Sequence, residues 1–316
     1  MNSTAGPALV DALTADVDRL RAAEPEVRRD LPDSVHKMRV ATRRLRSLLR
    51  SYRGAFTRKS GSELSTELRW LAGLLGVARD AEVRGERFAA LLGENGGLFD
   101  ETVEDSPKPK PGRGKKAVPD EKPASSEKST PRVDFGAQLV AEERARYAAA
   151  HAEAVAAFDT PRYHTLLDSL AAMLTDPPLR SAKADAPAPE VFTEVLRHDF
   201  RDLRRLVRTE PEGSEADRIE RLHDIRKAAK RLRYSAEAAT AVLGDPATQL
   251  GRRAKQLQTV LGDHRDAIEA LETLHAHSAA ADEPGYQRMC DAEEAAAAKA
   301  LEDYPAAIEF LRHHAL

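Results

Sequence analysis

The chain reads as an all-α protein made of two repeated helical halves, and three observations carry that reading. Only 5% of its 316 residues are aromatic. The core therefore has to come mainly from Leu, Val and Ala, in a sequence rich in good helix formers. Apolar residues recur at helical spacing outside two breaks, and no segment shows the period-two alternation of a strand. A pattern that begins at His36 returns at His223.

Leu9, Leu13, Val17 and Leu20 mark a first helix opened by Pro7, a residue tolerated in a first turn because its missing N–H has no partner there. Pro32-Asp33-Ser34 provides an N-terminal cap for a second helix that runs to about residue 53. Residues 62–92 give a third, with a bend expected near Gly73 and Gly76. Over 93–132 the chain turns to Gly, Pro, Ser and Lys, a composition that cannot bury a core and is expected to form a disordered insertion. Helices over 134–158 and 161–174 complete the first half. Residues 175–189 carry Pro177, Pro178, Pro187 and Pro189 and read as a linker. Helices over 191–208, 215–243, 246–277, 286–301 and 305–313 then repeat the order. The expected organisation is a first bundle over 1–175, a linker over 176–189 and a second bundle over 190–316.

Composition excludes several classes. A single cysteine, Cys290, rules out an intramolecular disulfide and a Cys-rich zinc site. No run approaches the roughly eighteen apolar residues of a membrane span. The first twenty residues lack the basic-then-apolar order of a signal peptide. A soluble, cytoplasmic protein is expected. The net charge of −3 says little, because 49 basic and 52 acidic residues nearly cancel. Their placement says more: residues 34–53 hold seven Lys or Arg and no Asp or Glu, the mark of a surface built for a polyanion.

The repeat carries the functional argument. Val35-His-Lys-Met-Arg-Val-Ala-Thr-Arg-Arg-Leu-Arg-Ser aligns with Leu222-His-Asp-Ile-Arg-Lys-Ala-Ala-Lys-Arg-Leu-Arg-Tyr. Downstream, Leu71-Ala-Gly-Leu-Leu-Gly-Val-Ala-Arg-Asp-Ala aligns with Leu257-Gln-Thr-Val-Leu-Gly-Asp-His-Arg-Asp-Ala. On a helical wheel Arg39, Arg43, Arg46 and Arg50 fall within an arc of roughly 80° beside His36, while Met38, Leu45, Leu48, Leu49 and Tyr52 cluster on the other side. His223, Arg226, Lys230 and Arg233 form the matching stripe, opposed by Ile225, Ala229, Leu232 and Ala236. Like charges three or four residues apart cost roughly 0.2–0.5 kcal/mol per pair, so a stripe without interleaved Glu expects a partner. A regular row of guanidinium groups suits a phosphate chain. Arg69 and Lys255, at matching places on the third helices, extend the candidate set. Arg79-Asp80 and Arg265-Asp266 read as intramolecular pairs at a helix bend. A polyanion favours the imidazolium form of His36 and His223, so binding is expected to tighten as pH falls through the histidine range.

These two motifs resemble the CHAD family, the conserved histidine α-helical domain. The His-x-x-Arg-x-x-x-(Arg/Lys)-Arg-x-Arg core occurs at 36–46 and again at 223–233, each followed by Leu-Gly-x-x-Arg-Asp, and the likeness covers nearly the whole chain. The resemblance implies two four-helix bundles related by a pseudo-twofold around a basic groove or pore. It further implies a non-catalytic module for inorganic polyphosphate, found at polyphosphate granules or fused to a triphosphate tunnel enzyme. No Glu-x-Glu-x-Lys tunnel signature occurs, so a stand-alone module without cofactor, metal or catalytic residues is expected. On that match the binding positions are His36, Arg39, Arg43, Arg46, His223, Arg226, Lys230 and Arg233. Three rivals compete. A metallophosphohydrolase is suggested by His223-Asp224 and His198-Asp199, but the position matching Asp224 is Lys37, a poor neighbour for a metal. A phosphorelay domain needs one exposed His, not two inside basic stripes. The main alternative is non-specific binding of an RNA backbone. It is weakened because single-strand binders add aromatic stacking platforms, and only Tyr52 and Tyr234 lie on the stripe helices. Nucleic acid and membrane are not the expected partners.

Overall fold

The computed structural model describes residues 3–95, 135–209, 214–277, 279, 281–283 and 285–312. The insertion expected over 93–132 lies almost wholly outside them. Helices α1 (Ala5–Arg28), α2 (Ser34–Ser51), α3 (Arg58–Asn95), α4 (Phe135–Phe158) and α5 (Pro161–Thr175) come from the first half. After the one-turn α6 (Ser181–Ala184), the second half gives α7 (Ala188–Arg208), α8 (Glu215–Leu243), α9 (Asp245–Ala276), α10 (Tyr286–Ala300) and the short α11 (Tyr304–Ala307). Among the described residues there is no strand, only isolated bridges between Thr4 and Pro187 and between Phe56 and Leu179. None of these helices is long and apolar enough to cross a membrane.

The apolar stripes do what their spacing demands. Met38, Leu45, Leu48 and Tyr52 on α2 are buried, as are Ile225, Ala229, Leu232 and Ala236 on α8. One apolar cluster runs through both halves, joined where the Tyr52 and Phe192 rings meet at 4.9 Å. A smaller cluster of Phe88, Phe135, Leu274 and Tyr286 ties the far ends of α3, α4, α9 and α10.

Four details differ from the sequence reading. Helix α3 runs without interruption through Gly73 and Gly76. Gly73 faces open space, whereas Gly76 faces the Arg39 guanidinium. The cap of α2 is Asp33 in the left-handed region (φ 59°), and no side chain caps the helix. Residues 176–189 are no free tether. Ala5 and Thr57 donate backbone N–H groups to Ala186 and Pro178, and Arg180 donates its own to Ala55, which straps the segment to the first half. The last helix is broken, because α11 gives way to a 3-10 turn at Glu309–Leu311.

Buried ion pairs fix how the stripe helices are rotated. Arg44 Nε donates to Asp16 Oδ1 at 2.7 Å, linking α2 to α1. Arg231 Nε lies 3.1 Å from Asp199 Oδ1, linking α8 to α7 at the matched position. Asp199 is 2% exposed and also accepts from Ser51 and Ser235. Replacing one member of such a pair leaves a buried charge unpaired. Asp199→Ala is therefore expected to lower unfolding free energy by about 3–5 kcal/mol in urea titrations; a loss below about 1 kcal/mol would mean the pair is not structural.

Candidate anion-binding groove

With α2 and α8 held in this way, their basic faces turn toward one another. A groove of about 1150 Å³ opens between them, walled by α2, the N-terminal part of α3, the strap residue Arg180, α7 and α8. Its lining holds eleven Arg or Lys side chains against two carboxylates, Asp202 and Asp224. Both carboxylates are already taken: Asp224 lies 2.6 Å from Lys227, and Asp202 accepts from Arg231 at 2.9 Å. Among the described residues, Arg43, Arg46, Arg50, Arg53, Arg58, Arg69, Arg180 and Lys230 have no carboxylate partner. The Nε atoms of Arg43 and Arg46 are buried without any hydrogen-bond acceptor.

The deep end of the groove is where the two stripes meet. Burial pushes the Lys230 ammonium down to about 7, and the charges of Arg43, Arg226 and Arg39 act in the same direction. Burial also lowers Arg43, with Arg39 and Arg226 adding to it, and lowers Arg46, with Arg69 and Arg50 behind it. Four cations from two halves are thus held close enough to repel one another. The histidines feel the same field: burial lowers His36, followed by Arg79 and Arg43, and burial lowers His223, followed by Lys227, Arg265 and Arg226.

The Leu-Gly-x-x-Arg-Asp motifs support this cluster. Arg39 Nη1 donates to Asp80 Oδ1 at 2.8 Å, and the charge of Arg226 acts on Asp266. A Cβ placed on Gly76 would stand 3.9 Å from Arg39 Nη2, and one on Gly262 would stand 3.6 Å from Arg226 Nε. The motif glycine leaves room for the stripe arginine, and the motif aspartate faces it from the third helix. This corrects the expectation that Arg79-Asp80 and Arg265-Asp266 pair with each other. Successive helical residues diverge by about 100°. Arg79 instead pairs with Glu82, and Arg265 with Glu269.

Of the eleven residues singled out by sequence, Arg43, Arg46, Arg50, Arg69 and Lys230 line the groove. Arg39 and Arg226 lie behind its deep end, with His36 and His223 one turn further along each helix. Arg233 and Lys255 do not join it. Arg233 is bound to Glu237 and Gln258, and Lys255 is exposed elsewhere on α9. The groove adds six cations that the stripe argument missed: Arg53, Arg58, Arg180, Arg205, Lys227 and Arg231. They come from a turn, the strap and neighbouring faces, and helical periodicity gives no signal for them.

The CHAD domain family model matches residues 11–275, a span that takes in both stripes and both glycine motifs. The chain belongs to the CHAD domain family. Its fold superposes on PptA from Streptomyces chartreusis with a TM-score of 0.70 at 20% identity, covering 96% of this chain and 99% of that one. The CHAD domain from the plant Ricinus communis gives a TM-score of 0.70 at 21% identity, covering 99% of this chain and 94% of the plant domain. Likeness at this identity establishes the fold. The uncharacterized proteins MT2285 and Rv2226 of Mycobacterium tuberculosis are each 32% identical over 274 residues, 87% of this chain. The chain spans about half of their length (46%). At the two His-Asp sequences of this CHAD domain, Asp224 is paired with Lys227, and Asp199 with Arg231 and two serines. Among the described residues no group of three or more His, Cys, Asp or Glu is placed to hold a metal ion.

Proposed function

We propose that this CHAD domain binds inorganic polyphosphate in the groove between α2–α3 and α7–α8, as a binding module without catalysis. The observation that carries the reading is the set of eight groove cations with no carboxylate partner among the described residues, several of them half-buried. Guanidinium groups give both charge and paired hydrogen bonds to phosphate oxygens. Neutralising a polymer's charge also releases its counterions, which makes such binding strong at low salt. A phosphate chain with one charge per unit and no side groups fits closely spaced cations better than a nucleic acid does. The aromatic residues that line the groove, Phe56 and Tyr234, are 1% and 5% exposed and present no face for a base to stack on. The Tyr234 ring instead lies beneath the guanidinium groups of Arg44 and Arg233.

Calorimetric titration with long-chain polyphosphate, and then with single-stranded RNA of similar charge, at about 0.15 M salt tests the reading. Tight polyphosphate binding with a weak RNA response is the expected result. Equal or stronger RNA binding would make this a generic polyanion groove, and no polyphosphate binding would overturn the assignment.

The pH dependence has a defined sign. In the free protein Lys230 sits at about 7, and a bound polyanion stabilises its ammonium and raises that value. The gain in affinity is complete below the free value and is lost as pH rises through the bound value, by up to about tenfold per pH unit for one proton. His36 and His223 contribute in the same direction at lower pH, since both are depressed in the free protein. Affinity measured across about pH 6 to 9 should fall, and Lys230→Arg should flatten the upper part of the curve. A Lys230→Arg profile identical to the parent's would remove Lys230 from the site.

A further inference from the structure

The two stripes match in position and charge until their last turn. Arg46 and Arg233 are equivalent, but one turn later the first stripe has Arg50 and the second has Glu237. That change of charge alters what each half offers. In the first half Arg46 Nε has no acceptor, Arg50 is exposed in the groove, and Arg69 stands close enough to depress Arg46. In the second half Arg233 Nε donates to Glu237 Oε1 at 2.7 Å, and Arg44 from the other half donates to Glu237 Oε2. The equivalent of Arg69 is Lys255, which lies outside the groove.

A second concave surface shows the same contrast. This depression of about 390 Å³, which shares Asp80 with the Arg39 pair, is lined by as many acidic as arginine side chains. Arg84 and Arg146 both reach Glu143, at 3.0 and 2.7 Å, and Arg265 reaches Glu269 at 2.7 Å. A carboxylate within hydrogen-bond distance cancels most of a guanidinium's field beyond the pair, and a phosphate would have to break charge-assisted bonds to use it. Among the described residues, the groove therefore keeps eight cations without a carboxylate partner, whereas the arginines of this depression are paired.

We propose that Glu237 is a specificity-determining residue that makes the anion site one-sided. By holding Arg233 and Arg44 it withholds the second stripe's last turn, and a bound phosphate chain is confined to the Arg46, Arg50 and Arg69 side. The inference rests on the proposed polyphosphate function. The mechanism is local: a glutamate four residues after an arginine on a helix captures it. An arginine at 50 in the matching place leaves Arg46 open.

The test is the salt dependence of long-chain polyphosphate binding by the full chain, measured for the parent, Glu237→Gln, Arg50→Glu and Arg58→Glu. Glu237→Gln keeps the side-chain shape and releases the Arg233 charge. It should bind several-fold tighter at low salt, with a slope of log affinity against log salt steeper by about 0.7 for each added phosphate contact. Arg50→Glu installs the second half's arrangement in the first and captures Arg46. Arg58→Glu makes the same change of charge at another exposed groove position, one with no arginine a turn before it. Arg50→Glu should flatten the slope more than Arg58→Glu does. Both of these replaced residues are exposed, so this comparison stands even if Glu237→Gln fails to fold. An unchanged slope in folded Glu237→Gln, or equal slopes for the two glutamate variants, would overturn the one-sided assignment. A parent protein that does not bind polyphosphate would overturn the proposed function itself, before any variant is compared.

Discussion

Asp16 and Asp199 lie almost fully buried on α1 and α7, and each holds the arginine that flanks the apolar face of a stripe helix, Arg44 or Arg231. Burying such charges is costly unless the pair is well formed and its remaining hydrogen-bonding groups are satisfied. Ser51 and Ser235 meet that condition at Asp199, and Arg19 adds a second guanidinium at Asp16. Once these pairs exist, α2 and α8 cannot roll. The residue before each arginine points about 100° away around the helix. Those residues are Arg43 and Lys230, and they have nowhere to go but into the shared groove.

The fold thereby maintains an electrostatic conflict. Arg39, Arg43, Arg226 and Lys230 act on one another, and Lys230 gives way by falling to about 7. Asp80 and Asp266 on the third helices offset part of the charge, and Gly76 and Gly262 let the stripe arginines lie close against those helices. The carboxylates that remain near the groove mouth belong to Lys227, Arg205 and Arg231. The binding energy proposed for a polyanion is thus prepared in the free protein as repulsion that an anion relieves.

Helical periodicity showed the apolar and basic faces of α2 and α8 because both lie on one helix, where spacing fixes direction. It also showed that Tyr52 belongs to the core, where its ring meets Phe192 and its hydroxyl donates to the Ser235 carbonyl. It failed where partners come from other elements. Arg53, Arg58 and Arg180 reach the groove from a turn, from the first residue of α3 and from a strap that composition read as a linker. Gly76 suggested a bend, because a glycine's empty side is filled by a neighbour that only tertiary structure reveals. Treating the repeats as equivalent put Arg233 and Lys255 with the groove residues, and the groove lining does not include them. The signal was present at Glu237, opposite Arg50, but its weight depends on a carboxylate reaching Arg44 across the two halves.

If the crowded cations are relieved by an anionic polymer, then that polymer must stabilise the native state. Urea unfolding of the protein with and without long-chain polyphosphate, at fixed pH and ionic strength, measures this directly. Ligand held at about one hundred times its dissociation constant should add about 2.7 kcal/mol to the unfolding free energy, and the gain should vanish when Arg43 and Arg46 are both replaced by Gln. An unfolding free energy that does not change with polyphosphate, or a gain that survives the double replacement, would contradict the account.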